Sequence, residues 1–402
     1  MESVTASTRL VSSEDADSAV VKYGDRHSFK VKNQKFVVDR KYVPIKCLGA
    51  GAYGVVCSAS DTESGRKVAI KKVSRAFEEV TDAKRILREV KMLRHFDHPN
   101  IVKLHDMVNP FSKKEFEEVY MVLELLDSDL HRIIHSKNVL TMEHLQFFVY
   151  QTLCGLKYMH SANVVHRDLK PSNILVNASC ELRICDFGLA RGVGDCDPTL
   201  DNLTEYVVTR WYRAPEIMCC CQDYGKAIDV WSVGCILAEL IARKPLFPGD
   251  NYLHQLDLIF GCLGTPSDED LEWMTNEKAC EYIRSLPKKD RISLRKVFPA
   301  SKCTDEALDL LEKMLVFNPE KRITVDEALE HPFFKTVRVK HYETTCPSKF
   351  DFSFEKESKG KKHLQEMMFD EICFFRPEAR YASPLSSLSS TGSSSSASMA
   401  AE

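Results

Sequence analysis

The sequence lacks an excess of either charge, a long apolar run and any spaced cysteine motif. Against 55 Lys and Arg stand 58 Asp and Glu, leaving a net charge of −3. That balance gives no reason to expect nucleic acid or an anionic membrane as a partner. The most apolar run, Val230 to Ala242, is broken by Glu239 and falls short of the roughly 20 residues that a bilayer requires. The start, Met1-Glu2-Ser3-Val4, has no charged-then-apolar leader, and Glu2 stands where myristoylation needs glycine. The last residues, Met399 to Glu402, form no prenylation box. Fifteen cysteines are scattered along the chain. The run Cys219-Cys220-Cys221 has neither Cys-x2-Cys spacing nor a nearby histidine, which argues against zinc. Others lie in apolar segments such as 149–156 and 182–185, where cysteine acts as a small buried hydrophobe. A reducing compartment, cytoplasmic and nuclear, is the expectation. No internal repeat is present.

What remains is an ordinary globular composition, 44% apolar and 28% charged, in a chain of 402 residues, long enough for two lobes around a shared cleft. Residues 1–33 are rich in Ser, Thr, Asp and Glu and read as a flexible arm. Residues 382–402 are a serine-rich tail that cannot bury a core. From Phe36 to Lys72, alternating β-branched residues broken by Gly and Ser predict hairpins. Asp82–Phe96 has helical spacing through Ile86, Val90 and Leu93, and Val119–Leu126 reads as a strand. From Leu130 onward helical patterns dominate. The predicted class is α+β: a small β-rich lobe with one helix over 34–126, a mainly helical lobe over 127–334, and an extension over 335–381 that packs back.

Gly49-Ala50-Gly51-Ala52-Tyr53-Gly54 fits G-x-G-x-x-G, which alone is weak, because dinucleotide folds share it. There the third glycine opens a helix. Here Val55-Val56-Cys57-Ser58-Ala59 continues as strand, so the glycines bend a hairpin whose backbone can approach phosphates closely. Lys71 follows in Val68-Ala69-Ile70-Lys71, and Glu89 on the next helix can hold its ammonium toward phosphates. Then come His166-Arg167-Asp168-Leu169-Lys170-Pro171-Ser172-Asn173 and Asp186-Phe187-Gly188. In phosphoryl transfer the protein chiefly positions groups and neutralises charge. Asp168 can accept a hydroxyl proton, Lys170 can meet the moving phosphoryl group, and Asn173 and Asp186 are oxygen ligands suited to Mg²⁺. Each residue alone could be a turn cap or a solvated charge; the order and spacing of all of them make that reading poor.

These motifs resemble the protein kinase family from about Tyr42 to Phe334. The resemblance implies a bilobal kinase fold, ATP with Mg²⁺, and catalytic roles for Lys71, Glu89, Asp168, Lys170, Asn173 and Asp186. It places the nucleotide against Leu48, Gly49, Ala50, Gly51, Ala52, Tyr53, Gly54, Val55 and Val56, with the hinge backbone of Glu124 and Leu126 at adenine. Asp129 binds ribose or, with Ser128, caps the next helix; both readings stay open. Lys170 is similar to the serine/threonine-specific kinases. Ala214-Pro215-Glu216 closes the activation segment, with Arg322 as the partner of Glu216, and Asp229 anchors the catalytic loop.

Thr204-Glu205-Tyr206 before Val207-Val208-Thr209-Arg210-Trp211-Tyr212-Arg213 resembles the dual-phosphorylation lip of extracellular-signal-regulated MAP kinases. By that resemblance Arg88, Arg167 and Arg191 gather the phosphothreonine, while Arg210 and Arg213 meet the phosphotyrosine beside a pocket for proline. Each phosphate adds about −1.5 to −2 charge, enough to draw helix and loops together. The implied partners are an upstream dual-specificity MAP kinase kinase, protein substrates with Ser/Thr-Pro sites, and phosphatases. A cyclin-dependent-like kinase shares Trp211-Tyr212-Arg213 but has no need of Tyr206, and a non-catalytic scaffold has no need of Lys71, Asp168 and Asp186. The segment 335–343, where the family presents paired acids for docking, has Glu343 alone, with Arg338 and Lys340 beside it. Docking through basic peptides should therefore be weak, leaving acidic motifs or the apolar face of Leu140, His144 and Phe148, unless those three are core.

Overall fold

Strands form where apolar residues alternate and end where Gly, Asn or Asp permit a turn. The computed structural model describes residues 22–23, 25–51, 54–112, 116–193, 209–219, 225–357 and 360–380. Ala52, Tyr53, Thr204, Tyr206 and the tail over 382–402 lie outside the described residues.

Order begins earlier than the composition of 1–33 suggested. β1 (Lys22–Tyr23), β2 (Arg26–Val31) and β3 (Gln34–Asp39) form an antiparallel sheet in the order β1-β2-β3. The flexible arm is therefore corrected over its last third. Phe29 stacks on Phe36 at 5.4 Å, and Val31 pairs with Gln34 across a two-residue turn in which Lys32 takes a left-handed φ of 52°. The polar composition of 1–33 hid this short apolar alternation.

Above the cleft, β4 (Tyr42–Gly51), β5 (Gly54–Asp61), β6 (Lys67–Val73), β7 (Leu104–Met107) and β8 (Val119–Glu124) form one sheet, ordered β4-β5-β6-β8-β7. Helix α1 (Val80–His95) packs beside it and buries Ile86, Val90 and Leu93, the apolar stripe read from the sequence, together with Leu87.

Below the cleft, β9 (Ser128–Asp129) and α2 (Leu130–His135) lead into α3 (Met142–Ser161). The short strands β10 (Val164–Val165), β11 (Ile174–Val176), β12 (Leu182–Ile184) and β13 (Arg191–Gly192) carry the loops of the site. The core helices are α4 (Pro215–Met218), α5 (Ala227–Ala242), α6 (Tyr252–Leu263), α7 (Asp268–Leu271), α8 (Glu277–Ser285), α9 (Leu294–Val297), α10 (Asp305–Met314) and α11 (Val325–Leu329). Within this lobe Phe148 is 1% exposed and His144 completes a capping box with Thr141, so those two belong to the core and to a helix cap rather than to a free docking face. Arg338, read as an exposed cation, is bound by Glu343 at 2.7 Å.

The extension then returns to the small lobe. α12 (Ser353–Glu357) and α13 (Lys361–Phe375) lie against α1. Leu364, Met368 and Ile372 are buried there, each worth about 1.5–3 kcal/mol. Glu371 meets Lys91 at 2.6 Å and Arg94 at 3.0 Å, and Arg376 binds Asp106 of β7 and Asp39 of β3, one from each sheet.

Candidate active site

The hairpin β4–β5 bends over the site, and its glycines are of two kinds. Gly54 has φ +142°, and a Cβ there would lie 2.0 Å from the Lys72 carbonyl oxygen, so only glycine fits. At Gly49 and Gly51 a Cβ would meet nothing within 4 Å. Among the described residues no neighbour requires glycine at those two positions.

A cavity of about 330 Å³ lies under this hairpin, lined by Gly51, Gly54, Val56, Lys71, Glu89, Asp168, Lys170 and Asp186 among others. Strand β6 and helix α1 converge so that Lys71 Nζ donates to both carboxylate oxygens of Glu89 at 2.7 Å. Burial opposes the charge on Lys71, but Glu89 and Asp186 outweigh it and hold the ammonium above the ordinary lysine range.

The catalytic loop is fixed from beneath. Asp229, fully buried on α5, accepts from the amides of His166 and Arg167 at 2.9 Å and from His160 Nε2 at 2.8 Å. Burial works against its charge, yet these donors keep the carboxyl below the usual range. Arg167 and Asp186 both take left-handed φ values, 69° and 66°, a conformation that costs a non-glycine residue about 1–2 kcal/mol. The strain falls on the two turns that aim Asp168 and Asp186 into the cavity.

Asp168 is held by its own neighbours. Lys170 Nζ reaches its Oδ2 at 2.8 Å, and Asn173 Nδ2 donates to its carbonyl at 2.9 Å and to its carboxylate at 3.1 Å. With Nδ2 so committed, the Asn173 amide presents its oxygen as the remaining donor atom for a cation. Burial raises the Asp168 carboxyl above the ordinary range, Lys170 opposing.

The other expected residues are distributed more widely. Leu48, Gly49, Ala50, Val55, Glu124, Leu126, Asp129 and Asn173 do not line this cavity. The Glu124 carboxylate turns to Arg183 at 3.2 Å. Asp129 caps α2, accepting from the Arg132 amide at 2.9 Å, so the capping alternative is the one observed. Arg88, 1% exposed, is gripped by Glu355 of α12 at 2.5 and 2.9 Å, and it donates to the Gly188 carbonyl at 2.6 Å. Arg191 is buried and donates to the Ala190 carbonyl at 3.0 Å. Arg210 donates to the Asp250 carbonyl at 2.9 Å, and Arg213 to the Tyr252 hydroxyl at 2.7 Å, with both guanidiniums near the Tyr252 ring. Glu355 and Tyr252 were missed in the sequence; neither stands in a motif, and only the fold brings them to these arginines. Glu216 and Arg322 do meet, fully buried, at 2.7 and 3.0 Å.

A cavity under a glycine hairpin, with a lysine–glutamate pair and an aspartate–lysine pair lining it, is an arrangement suited to phosphoryl transfer. The protein kinase domain family matches residues 42–334. The chain is 51% identical over 350 residues to mitogen-activated protein kinase homolog NTF6 of Nicotiana tabacum, covering 87% of this chain and 93% of that one. It is 48% identical over 356 residues to mitogen-activated protein kinase 4 of Arabidopsis thaliana, covering 88% and 93%. Extracellular signal-regulated kinase 1 of Dictyostelium discoideum is 50% identical over 357 residues, 89% of this chain and 66% of that longer relative. The chain belongs to the protein kinase family and, within it, to the mitogen-activated protein kinases, serine/threonine kinases of signalling.

Proposed function

We propose that this kinase phosphorylates serine or threonine followed by proline, and that an upstream dual-specificity MAP kinase kinase activates it at Thr204 and Tyr206. The phosphoryl-transfer chemistry is carried by the convergence of Lys71, Glu89, Asp168, Lys170 and Asp186 on one cavity beneath the glycine hairpin, and the specificity and switch by the similarity to mitogen-activated protein kinases. Lys71 orients the α- and β-phosphates, fixed in direction by Glu89. Asp168 accepts the proton of the attacking hydroxyl, and Lys170 offsets charge on the transferred group. The hinge backbone at Glu124 and Leu126 receives adenine. The oxygens of Asn173 and Asp186 suit Mg²⁺, which when bound would neutralise phosphate charge.

Arg88, Arg167 and Arg191 are the cations for phosphothreonine, and Arg210 and Arg213 for phosphotyrosine. Specific phosphatases reverse the switch, and the protein works in cytoplasm and nucleus. The intact catalytic set speaks against a scaffold, and the similarity to mitogen-activated kinases against a cyclin-dependent one.

The test is an arrayed peptide library with the dually phosphorylated protein. Activity should concentrate on peptides with proline after the target residue, and Asp168→Asn should lower kcat by roughly 10²–10⁴. Indifference to proline would overturn the specificity. Full activity of the Thr204→Ala, Tyr206→Phe double variant would overturn the switch.

A further inference from the structure

The hairpin over the cavity carries a cysteine on each arm. Cys47 on β4 and Cys57 on β5 stand directly opposite each other in the antiparallel register. Residues so opposed have Cα atoms about 4.5–5.5 Å apart, inside the roughly 4.4–6.8 Å that a disulfide spans. Their side chains leave the same face of the sheet: Cys57 belongs to the apolar cluster of the small lobe, and Cys47 packs against that cluster. Both are free thiols.

The two thiols differ in access. β4 is the edge strand of its sheet, and Cys47 is half-buried there, whereas Cys57 is 1% exposed. Burial pushes the Cys57 thiol up to about 12, which suppresses its thiolate. An oxidant entering from solvent meets Cys47 first. Cys47 lies two residues before Gly49 and Cys57 three after Gly54, so the pair sits at the root of the glycine hairpin.

We propose that Cys47 and Cys57 form a reversible disulfide, driven by peroxide, that pins the root of the nucleotide hairpin and slows nucleotide exchange. The pinning rests on the assignment of this hairpin to the nucleotide; the bridge itself does not. In the first step the Cys47 thiolate attacks one peroxide oxygen, the O–O bond breaks and hydroxide leaves, giving a sulfenic acid. The Cys57 sulfur then attacks the Cys47 sulfur and its proton leaves with the hydroxyl as water. In sum, two thiols are oxidised and one peroxide is reduced, yielding one disulfide and two waters. A dithiol reductant reverses the change.

The tryptic peptide spanning residues 47–66 contains both cysteines and no internal Lys or Arg. Treated with peroxide, blocked with an alkylating agent under denaturing conditions and digested, the full-length protein should yield this peptide unalkylated and lighter by two hydrogens, about 2 Da. Prior reduction should restore double alkylation, and Cys47→Ser should leave Cys57 fully alkylable. Recovery of a doubly alkylated peptide, or of one bearing sulfinic acid at Cys47 without a bridge, overturns the proposal.

Stopped-flow release of a fluorescent ADP analogue reads the consequence. Release should slow several-fold in the oxidised wild type and stay unchanged in oxidised Cys47→Ser. A bridged protein that releases the analogue at the reduced rate overturns the pinning. Binding of the analogue to the reduced protein separately tests the nucleotide assignment.

Discussion

Arg88 and Glu89 are consecutive on α1, yet they bind parts of the chain far apart in sequence. Glu89 faces inward and joins Lys71 of β6, 18 residues away in sequence. Arg88 faces the extension and joins Glu355, 267 residues away. Both pairs are two-pronged and shielded: Lys71 and Glu89 are 16% and 8% exposed, Arg88 and Glu355 1% and 15%. The first pair is aimed at the cavity and holds its lysine for a ligand. The second occupies a guanidinium that the family resemblance gives to a phosphothreonine. One helix is therefore gripped by chemistry on one side and by the chain's own extension on the other.

The largest expected effect comes from breaking the inner pair. Lys71→Met should lower kcat by about 10²–10³ or more at a small cost in melting temperature, because Glu89, whose carboxyl burial already holds above the ordinary range, can take up a proton where a guanidinium cannot shed one. Steady-state kinetics on a peptide substrate checks the first part and calorimetry the second.

Breaking the outer pair should reverse that pattern. Glu355→Gln leaves a buried guanidinium without its carboxylate, a loss of about 3 kcal/mol in stability. On the proposed role of Arg88, a phosphate on Thr204 would supply the missing charge, and the loss should then shrink. Denaturant titrations of both forms decide it; equal losses would detach Glu355 from the switch.

A third pair, Lys170 with Asp168, sharpens the comparison through pH. Burial raises the Asp168 carboxyl and Lys170 counters it. Activity requires the carboxylate, so it is lost as pH falls through a value above the ordinary aspartate range near about 3.9. Lys170→Met removes the counter-charge, and the acid limb of kcat/KM should move to higher pH as the overall rate drops. A limb that stays in place would mean that another group sets it.

The smallest effect belongs to Lys84, which reaches the Glu355 carbonyl at 2.8 Å. Lys84→Met should cost only about 0.5–1.5 kcal/mol in either phosphorylation state, measured by the same titrations.

The inner side of this comparison was legible in the sequence and the outer side was not. Lys71, Glu89, Asp168, Asn173 and Asp186 follow from motifs whose spacing reflects local turns, and α1 follows from the period of Ile86, Val90 and Leu93. The grip of Glu355 on Arg88, of Glu371 on Lys91 and of Tyr252 on Arg213 joins residues that no periodicity relates. The sheet of β1–β3 escaped notice because Phe29 and Val31 are sparse apolar signals in a polar stretch. Asp129 stayed ambiguous for a different reason: the same carboxylate suits a helix cap and a ribose, and sequence cannot rank the two.

The position of α13 on α1 also bears on how the molecule is made. The small lobe is synthesised before the residues that finish packing α1. At about 5–20 residues per second, the 267 residues between Arg88 and Glu355 delay that closure by roughly 10–50 s. Throughout that interval the apolar groove that Leu364, Met368 and Ile372 will fill has no occupant, the kind of transient exposure that favours aggregation. A chain cut short before residue 361 should never pass that stage.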